Sequence, residues 1–421
     1  MIFNESKYNK DWDIKQLNQL GTFNRGKSRH RPRNDKKLFE NGKYPLIQTA
    51  EVKSAILHID ECNQYYGDFG LSQSKMWDEG TLCITIAANI AETGILSKPM
   101  CFPDSVVGFI ANKEASSELF MHYIFAYIKQ AIQESVNGSI QDNINKEYLE
   151  QLEFRIPKKH IQDNIVELLS SIDEKIENNL RINKSLNKMM RMIFDYWFLQ
   201  YDFPDAEGKP YKSFGGKMKK DKTGRREIPI DFEEHCIDDY VVISTEKITP
   251  NTMPDTLFYH YSIPEFDKTG SYGEELGITI QSDKSVVNEN QILVSKLNPW
   301  FNRVVLPVAK ENTISSTEFV VWDIENKYVR NFLYVVAQHD SFVDFCTDKA
   351  TGTSNSHKRV PPETMVSYEF TANDKYIMRF GKEIDDYIKI IKNNIDENRE
   401  LILIKNKILP LLMNGQLKLE K

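Results

Sequence analysis

The side chains in this chain best placed to do chemistry are basic and amide groups on short polar runs. Arg25, Lys27, Arg29, Arg31 and Arg33 crowd one stretch, with His30 among them and Lys36 and Lys37 just beyond. Later, Lys349, Lys358 and Arg359 flank the polar run Thr351 to His357, which carries Thr351, Thr353, Asn355 and His357. Two further runs have the same character: Ser139, Gln141 and Asn143 within NGSIQDNINKEYLEQLEF (137–154), and Lys296, Asn298, Trp300, Asn302 and Arg303 within NQILVSKLNPWFNRVVL (290–306). Lys75 and Asn89 complete the candidates. Cations at this density neutralise phosphates, and short polar side chains on glycine-bearing loops reach phosphates and base edges. The chemistry expected is contact with double-stranded DNA.

Bond-making chemistry is not expected. Asn298-Pro299-Trp300-Phe301 lies one residue from the Asn-Pro-Pro-Phe/Tyr motif that holds a flipped adenine in amino-methyltransferases. Trp300 replaces the second proline, and no glycine-rich strand-turn-helix able to hold S-adenosylmethionine is evident. Asp205 and Glu207 suggest a metal-dependent nuclease, but such carboxylates must converge from neighbouring strands, and here one residue separates them in a Gly/Pro linker. The eight histidines fall singly, without H-E-x-x-H, G-x-S-x-G or a Walker loop. Cys62, Cys83, Cys101, Cys236 and Cys346 form no C-x-x-C pair, which argues against a disulfide framework and a structural zinc site. Neither catalytic nor metal-binding residues are therefore assigned.

A chain of 421 residues, 40% hydrophobic, can bury more than one core and should form two or three domains. No apolar run reaches the ~18 residues needed to cross a bilayer, and the opening residues lack a signal-peptide pattern, so a cytoplasmic protein without a membrane partner is expected. The net charge of −7 opposes nucleic-acid binding only on average. Acids gather on helical stretches, as at Asp173, Glu174, Glu177, Glu383, Asp385 and Asp386, and read as an acidic scaffold carrying basic tips.

The elements that must position these tips come in duplicate. Ile176 to Phe198 aligned on Ile391 to Met413 shares six identities in 23 pairs: Ile176/Ile391, Asn178/Asn393, Asn179/Asn394, Asn183/Asn398, Leu186/Leu401 and Ile193/Ile408. A 4-3 alternation runs through Ile165, Leu169, Ile172, Ile176, Asn179, Asn183, Leu186, Met190, Ile193 and Trp197. It recurs through Phe380, Ile384, Tyr387, Ile391, Asn394, Asn398, Leu401, Lys405, Ile408 and Leu412. Sustained spacing of this kind predicts a coiled-coil seam, broken outside its middle only by Lys405. Asn179, Asn183, Asn394 and Asn398 occupy the middle of each copy, where buried amides fix register at a cost in stability. A globule between the helices favours an antiparallel pair in which midpoint meets midpoint and the globules are held tens of Å apart. The expected layout is a globule at 1-160, a helix at 161-198, a basic linker at 199-229, a second globule at 230-372, and a helix with its tail at 373-421. The linker reads as a flexible connector. Phe194, Trp197, Phe198 and Tyr201 are more aromatic than a two-helix seam requires and are assigned to partner binding, the alternative being that they cap the rod against the adjacent globule.

IDEKIENNLRINKSLNKMMRMIFDYWFLQYDFP (172–204) resembles the central conserved region of the specificity (S) subunit of Type I restriction-modification enzymes. EGKPYKSFGGKM (207–218) and REIP (226–229) are similar to the segments that follow it, and ILPLLMNGQL (408–417) to the distal conserved region. WDIKQLNQL (12–20) and GTLCITIAANIAETGILSKPMCFPDSVVGF (80–109) resemble parts of a target recognition domain. The second globule departs from the pattern at IDFEEHC (230–236), which puts its first strand in doubt. The resemblance implies an α+β fold: two mixed α/β target recognition domains joined by a long antiparallel two-helix coiled coil, in a pseudo-two-fold repeat. It implies a non-catalytic subunit that reads a bipartite DNA site with one domain per half-site. Two methyltransferase (M) subunits and restriction (R) subunits would be its partners. S-adenosylmethionine, ATP and Mg²⁺ would bind those partners, and this chain none of them.

Overall fold

A computed structural model describes residues 2–87, 89–137, 146–352 and 357–419 of the chain. Two compact units result, Met1–Asn178 with Glu400–Lys421, and Asn179–Arg399. The boundary between them falls within the helical segments, and not at the ends of globules as the sequence layout had it.

In the first unit a five-stranded sheet is built from β1 (Gly21–Arg25), β2 (His58–Ile59), β3 (Leu82–Thr85), β4 (Thr93–Leu96) and β5 (Val106–Ala111), in the order β1-β5-β3-β4-β2. The short apolar strands are buried on both faces, as their lack of polar alternation requires. Leu82, Ile84, Val107 and Phe109 pack against Phe120, Tyr123, Phe125 and Ile128 of helix α1 (Glu118–Asn137). Cys83 and Val106 face the other way, into a second core with Trp77, Leu96 and Phe102. Gly108 is fixed by that second core, because a Cβ there would fall 2.7 Å from the Trp77 ring. Asp13–Gln16 pairs antiparallel with Glu153–Ile156, which leads into helix α2 (Lys159–Phe194).

The last helical residues return to this unit. Ile165 and Leu169 are buried with Leu409, Leu412 and Met413, so the two helical segments run antiparallel here. Asn4 Nδ2 donates to the Met413 carbonyl, and Ser6 Oγ donates to that of Asn414, satisfying acceptors that a helix C-terminus leaves free. Lys405, the one break in the seam, donates to both Asp173 oxygens at 2.6 and 2.7 Å. Tyr123 donates its hydroxyl to the same carboxylate at 2.9 Å. Asp173 is 0% exposed, and burial raises its pKa against the pull of Lys405 and Tyr123. Glu177 accepts from the backbone N–H groups of Leu57 and His58, and lies 2.8 Å from His58 Nδ1. Asp173 and Glu177 thus tie the helix to the sheet domain.

The second unit repeats the plan. Its four-stranded sheet of β6 (Val242–Ile243), β7 (Gln291–Ser295), β8 (Val304–Val305) and β9 (Phe319–Asp323) has the order β6-β9-β7-β8, matching β1-β5-β3-β4 strand for strand. Ile292, Val294, Val320 and Trp322 face Phe332, Leu333 and Val336 of helix α3 (Lys327–Gln338), while Leu293, Phe319 and Val321 pack with Tyr261. Glu233–Cys236 pairs antiparallel with Glu369–Ala372, so the doubted opening strand is present. In the linker, Met218–Lys220 pairs with Glu227–Pro229, and Asp221 accepts from the N–H groups of Arg225 and Arg226 across the turn. That segment is an ordered hairpin where a flexible connector was expected.

One helix was expected from Tyr376 to Met413; two are found, α4 (Asp374–Glu383) and α5 (Asp385–Met413). Asn331 Nδ2 donates to the Gly381 carbonyl at 3.0 Å and to Asp385 Oδ1 at 3.1 Å. A side chain inserted into the helical ladder is a recognised cause of interruption. Asp385, also bonded to Lys327 and Lys389, is buried there. Beyond the break, Asn179 Nδ2 donates to Asn398 Oδ1 at 2.8 Å, and Asn394 Nδ2 to Asn183 Oδ1 at 2.8 Å. The crossed numbering makes this stretch antiparallel too.

Two outcomes follow for the polar contacts of the first unit. Lys405→Ala strands a buried carboxylate and should cost ~3–5 kcal/mol in urea unfolding. Asp173→Asn combined with Lys405→Met should recover most of that, since Tyr123 can still donate to the amide oxygen; a double variant as unstable as the single would exclude the ion-pair account. His58 has its pKa raised by the bond to Glu177, helped by Asp60 and Glu174. Its stabilisation is therefore complete below the unfolded value of 6.5 and lost as pH rises through the higher folded value. His58→Ala should lower Tm more at about pH 5.5 than at about pH 9, and equal losses would refute the linkage.

Candidate nucleic-acid interface

Two of the polar runs picked from the sequence meet in the second unit. The β7–β8 loop, 296–303, and the segment 351–359 are zipped together at Asn298, whose N–H donates to the Lys358 carbonyl at 2.8 Å. The Lys358 N–H returns a bond to Asn298 Oδ1 at 2.9 Å. Bridges between Leu297 and Arg359 and between Thr351 and Arg359 extend the seam. Thr351 and His357 are exposed on it. Thr353 and Asn355 lie outside the described residues.

Both arginines of this surface are held by carboxylates. Arg303 grips Asp267 with Nε and Nη2 at 2.6 and 2.7 Å, and its guanidinium lies 4.5 Å from the centre of the Phe301 ring. Arg359 grips Glu318 at 2.8 to 3.2 Å and holds that carboxyl below its usual pKa. Among the described residues no ion pair involves Lys296 or Lys358, which are half-buried, and the Lys296 charge helps lower the Glu318 pKa. Trp300 is exposed, and Asn302 is turned inward, its Nδ2 donating to the Gln338 carbonyl at 2.9 Å.

In the first unit the basic stretch is bound edge-on to a neighbouring loop. Lys27 N–H donates to the Phe102 carbonyl, Arg29 N–H to that of Gln73, and Ser74 Oγ to that of Lys27. These bonds bring Lys75 alongside, its ammonium 3.7 Å from the centre of the Trp77 ring. Arg25, Arg29, Arg31, Arg33 and Lys75 are exposed. Asp104 takes Arg33 at 2.6 Å and Arg31 at 3.7 Å, and Asp35 takes His30 at 2.7 Å. Asn89 stands on the β3–β4 loop, where Lys53 donates to it, and the described bonds of the basic stretch do not reach it. That loop occupies the place in the first sheet that 296–303 occupies in the second, and Gln133 of α1 ties it down through the Ile90 carbonyl. Ser139, Gln141 and Asn143 lie outside the described residues.

The four aromatic side chains assigned to a partner are placed otherwise. Phe194, Trp197, Phe198 and Tyr201 are buried in the second unit, with Phe198 ring contacts to Phe332 at 4.9 Å and Phe380 at 5.5 Å, and a Tyr201 contact to Phe232 at 5.8 Å. They fill the core of their own chain because the helix ends beside it in a wider turn, Asp195–Leu199. The exposed apolar residues of α2 and its final turn are instead Leu180, Ile182, Met189, Met192, Tyr196 and Leu199, the last five a stripe at spacings of three, four and seven that the aromatic signal hid. Sequence reasoning also missed Asp104, Asp267 and Glu318, since each partners an arginine far away along the chain.

Among the described residues no group of three or more His, Cys, Asp or Glu side chains is placed to hold a metal ion, and no helix is long and apolar enough to cross a membrane. Residues 9–188 match the family described as the Type I restriction modification DNA specificity domain. The Type I restriction enzyme MjaIX specificity subunit of Methanocaldococcus jannaschii is 21% identical over 366 residues, 77% of this chain and 83% of that one. The HindI specificity subunit of Haemophilus influenzae is 22% identical over 344 residues, 68% of this chain and 73% of that one. The crystal structure of a Type I restriction-modification system S subunit from M. genitalium shares the fold, with a TM-score of 0.57 at 13% identity, covering 98% of this chain and 99% of the other. Residues 9–188 thus carry a Type I restriction modification DNA specificity domain, and most of the chain is similar to specificity subunits of such systems.

Arg359 is held back from phosphate by Glu318 alone among the described ion pairs. Glu318→Gln should therefore raise DNA affinity and steepen the slope of log K against log salt by about one unit. An unchanged slope in a salt titration would show that Arg359 meets no phosphate.

Proposed function

We propose that this chain is the DNA-reading subunit of a Type I restriction-modification complex, each unit reading one half of a bipartite target. The observation that carries this reading is the repeated sheet order, β1-β5-β3-β4 and β6-β9-β7-β8, with a loop at the same hairpin of each. A duplicated reading frame suits a target in two halves. The basic stretch from Arg25 to Arg33 with Lys75, and the loop pair at Lys296 and Lys358, supply phosphate contacts of the kind that set register on a duplex.

The subunit itself performs no catalysis and takes no cofactor. Two M subunits bring S-adenosylmethionine, R subunits bring ATP and Mg²⁺, and the complex works in the cytoplasm. M docks on the exposed stripe of Ile182, Met189, Met192, Tyr196 and Leu199, in place of the buried aromatic group. Flexible Met side chains suit such a contact. The paired helices set the unread gap between half-sites, for which a helix of 36 residues supplies about 54 Å.

Met192→Lys with Leu199→Glu should abolish co-purification with M and leave the Tm of the isolated chain within a degree or two. Phe194→Ala should instead unfold it by about 3–5 kcal/mol. Insertion of one heptad in each helix adds about 10 Å and should widen the methylated gap by roughly three base pairs, read by methylome sequencing. Gel shifts on randomised bipartite DNA test the whole: an M-bound complex that enriches no sequence would reduce the chain to a coiled-coil scaffold.

A further inference from the structure

The β7–β8 loop is held more tightly than a surface loop needs to be, yet it points its largest side chains outward. Asn298 and Asn302 take left-handed backbone angles, φ 48° and 49°, a conformation asparagine tolerates better than most residues. Between them Pro299 locks the first position of a single 3-10 turn, Pro299–Phe301. Both ends are anchored: Asn298 to Lys358 through two bonds, Asn302 to the Gln338 carbonyl, and Arg303 to Asp267. Trp300 nevertheless stays 39% exposed and Phe301 57%, with ring centres 6.0 Å apart. The Arg303 guanidinium stacks on Phe301 from the side of the chain, fixing that ring while its outer part remains free.

A pair of aromatic rings exposed on a rigid turn, with Lys296 and Lys358 close by in the loop pair, fits a polyanion that also offers flat apolar surface. Duplex DNA offers both once a base step is opened. The corresponding loop of the first unit, Ile86 to Glu92, contains no aromatic residue at all.

Resting on the function proposed above, we propose that Trp300 and Phe301 form a stacking wedge that enters a base step in the half-site read by the second unit. The half-site of the first unit is read without unstacking. Wedges of this type make recognition depend on how easily a step deforms, so the second half-site is selected partly by sequences it does not hydrogen-bond.

The test uses the complex with M subunits and duplexes carrying 2-aminopurine at successive positions of both half-sites. Away from the adenines that the methyltransferase subunits themselves flip out, wild type should brighten the probe within one half-site only. Trp300→Ala with Phe301→Ala should abolish the brightening and weaken specific binding by ~10- to 100-fold, since base stacking on aromatic side chains carries effects of that size. Trp300→Phe should keep most of both signals. Trp300→Lys separates stacking from charge: the wedge predicts weaker specific binding, whereas a ring lying idle near phosphates would give tighter binding. Because the rings are exposed, the Tm of each variant should match wild type, and a loss of DNA signal that tracks a loss of Tm counts against the wedge. Unchanged probe fluorescence and affinity in the double alanine variant, or equal brightening in both half-sites, would overturn the wedge while leaving DNA reading intact. No sequence-specific binding by the wild-type complex would overturn both.

Discussion

Four asparagines occupy seam positions where a two-helix coil ordinarily buries leucine, and the helices can lie together only where those amides find one another. An amide buried without a partner costs on the order of 1–3 kcal/mol, more than the net gain from a bond it makes. Asn179 with Asn398 and Asn183 with Asn394 therefore specify register mainly by penalising every other alignment. A shift by one helical turn would keep only one facing amide pair, Asn179 with Asn394 or Asn183 with Asn398. In the first unit the same logic operates through charge, since Asp173 is fully buried and depends on Lys405 and Tyr123 for all its described bonds. Leucine at these positions would hold the helices more firmly and align them less strictly.

Carboxylates play a second part beside the basic residues of the two units. Arg33, Arg303 and Arg359 each sit on an acid: Asp104, Asp267 and Glu318. The fork geometry of the last two pairs fixes the guanidinium plane, which stiffens the loops that carry it. In the free chain these arginines contribute little net positive potential, in keeping with a charge of −7. Weak attraction to arbitrary DNA is useful in a reader, because non-specific phosphate contacts compete with the target. Lys27, Arg29 and Lys75 on one unit and Lys296 and Lys358 on the other are then the cations with least to give up on meeting a phosphate.

The helices and their seam were legible because a 3.5-residue period persists over many turns, and the repeated asparagines stood out against it. Pairings between distant residues were not. Nothing in the sequence links Lys405 to Asp173 or Arg359 to Glu318, so the first read as a defect and the second as a free cation. The interruption near Ile384 was hidden for the same reason, as its cause is Asn331 of another helix. The aromatic residues from Phe194 to Tyr201 exposed a different limit. Composition says that such rings must be covered; it does not say whether the cover comes from the same chain, and Phe232, Phe332 and Phe380 provide it. For the polar loops, residue type found the right segments but not their mutual contact, which depends on a strand order formed by residues far apart in sequence.

The duplication itself explains why the two readers can differ so much at the tips. Strand order and core packing repeat: Leu82 and Ile84 face α1 as Ile292 and Val294 face α3, while Cys83 and Leu293 face the opposite core. A hairpin loop leaving such a frame is fixed at both ends by its strands, so its interior can change without altering either core. In the first unit that interior is small and aliphatic, and in the second it is proline, tryptophan and phenylalanine. Since the frame bears the folding energy, the loops are free to diverge in chemistry, as the function proposed above requires of two unlike half-sites. A single scaffold with a strictly aligned seam can in this way carry two unlike modes of reading on the same chain.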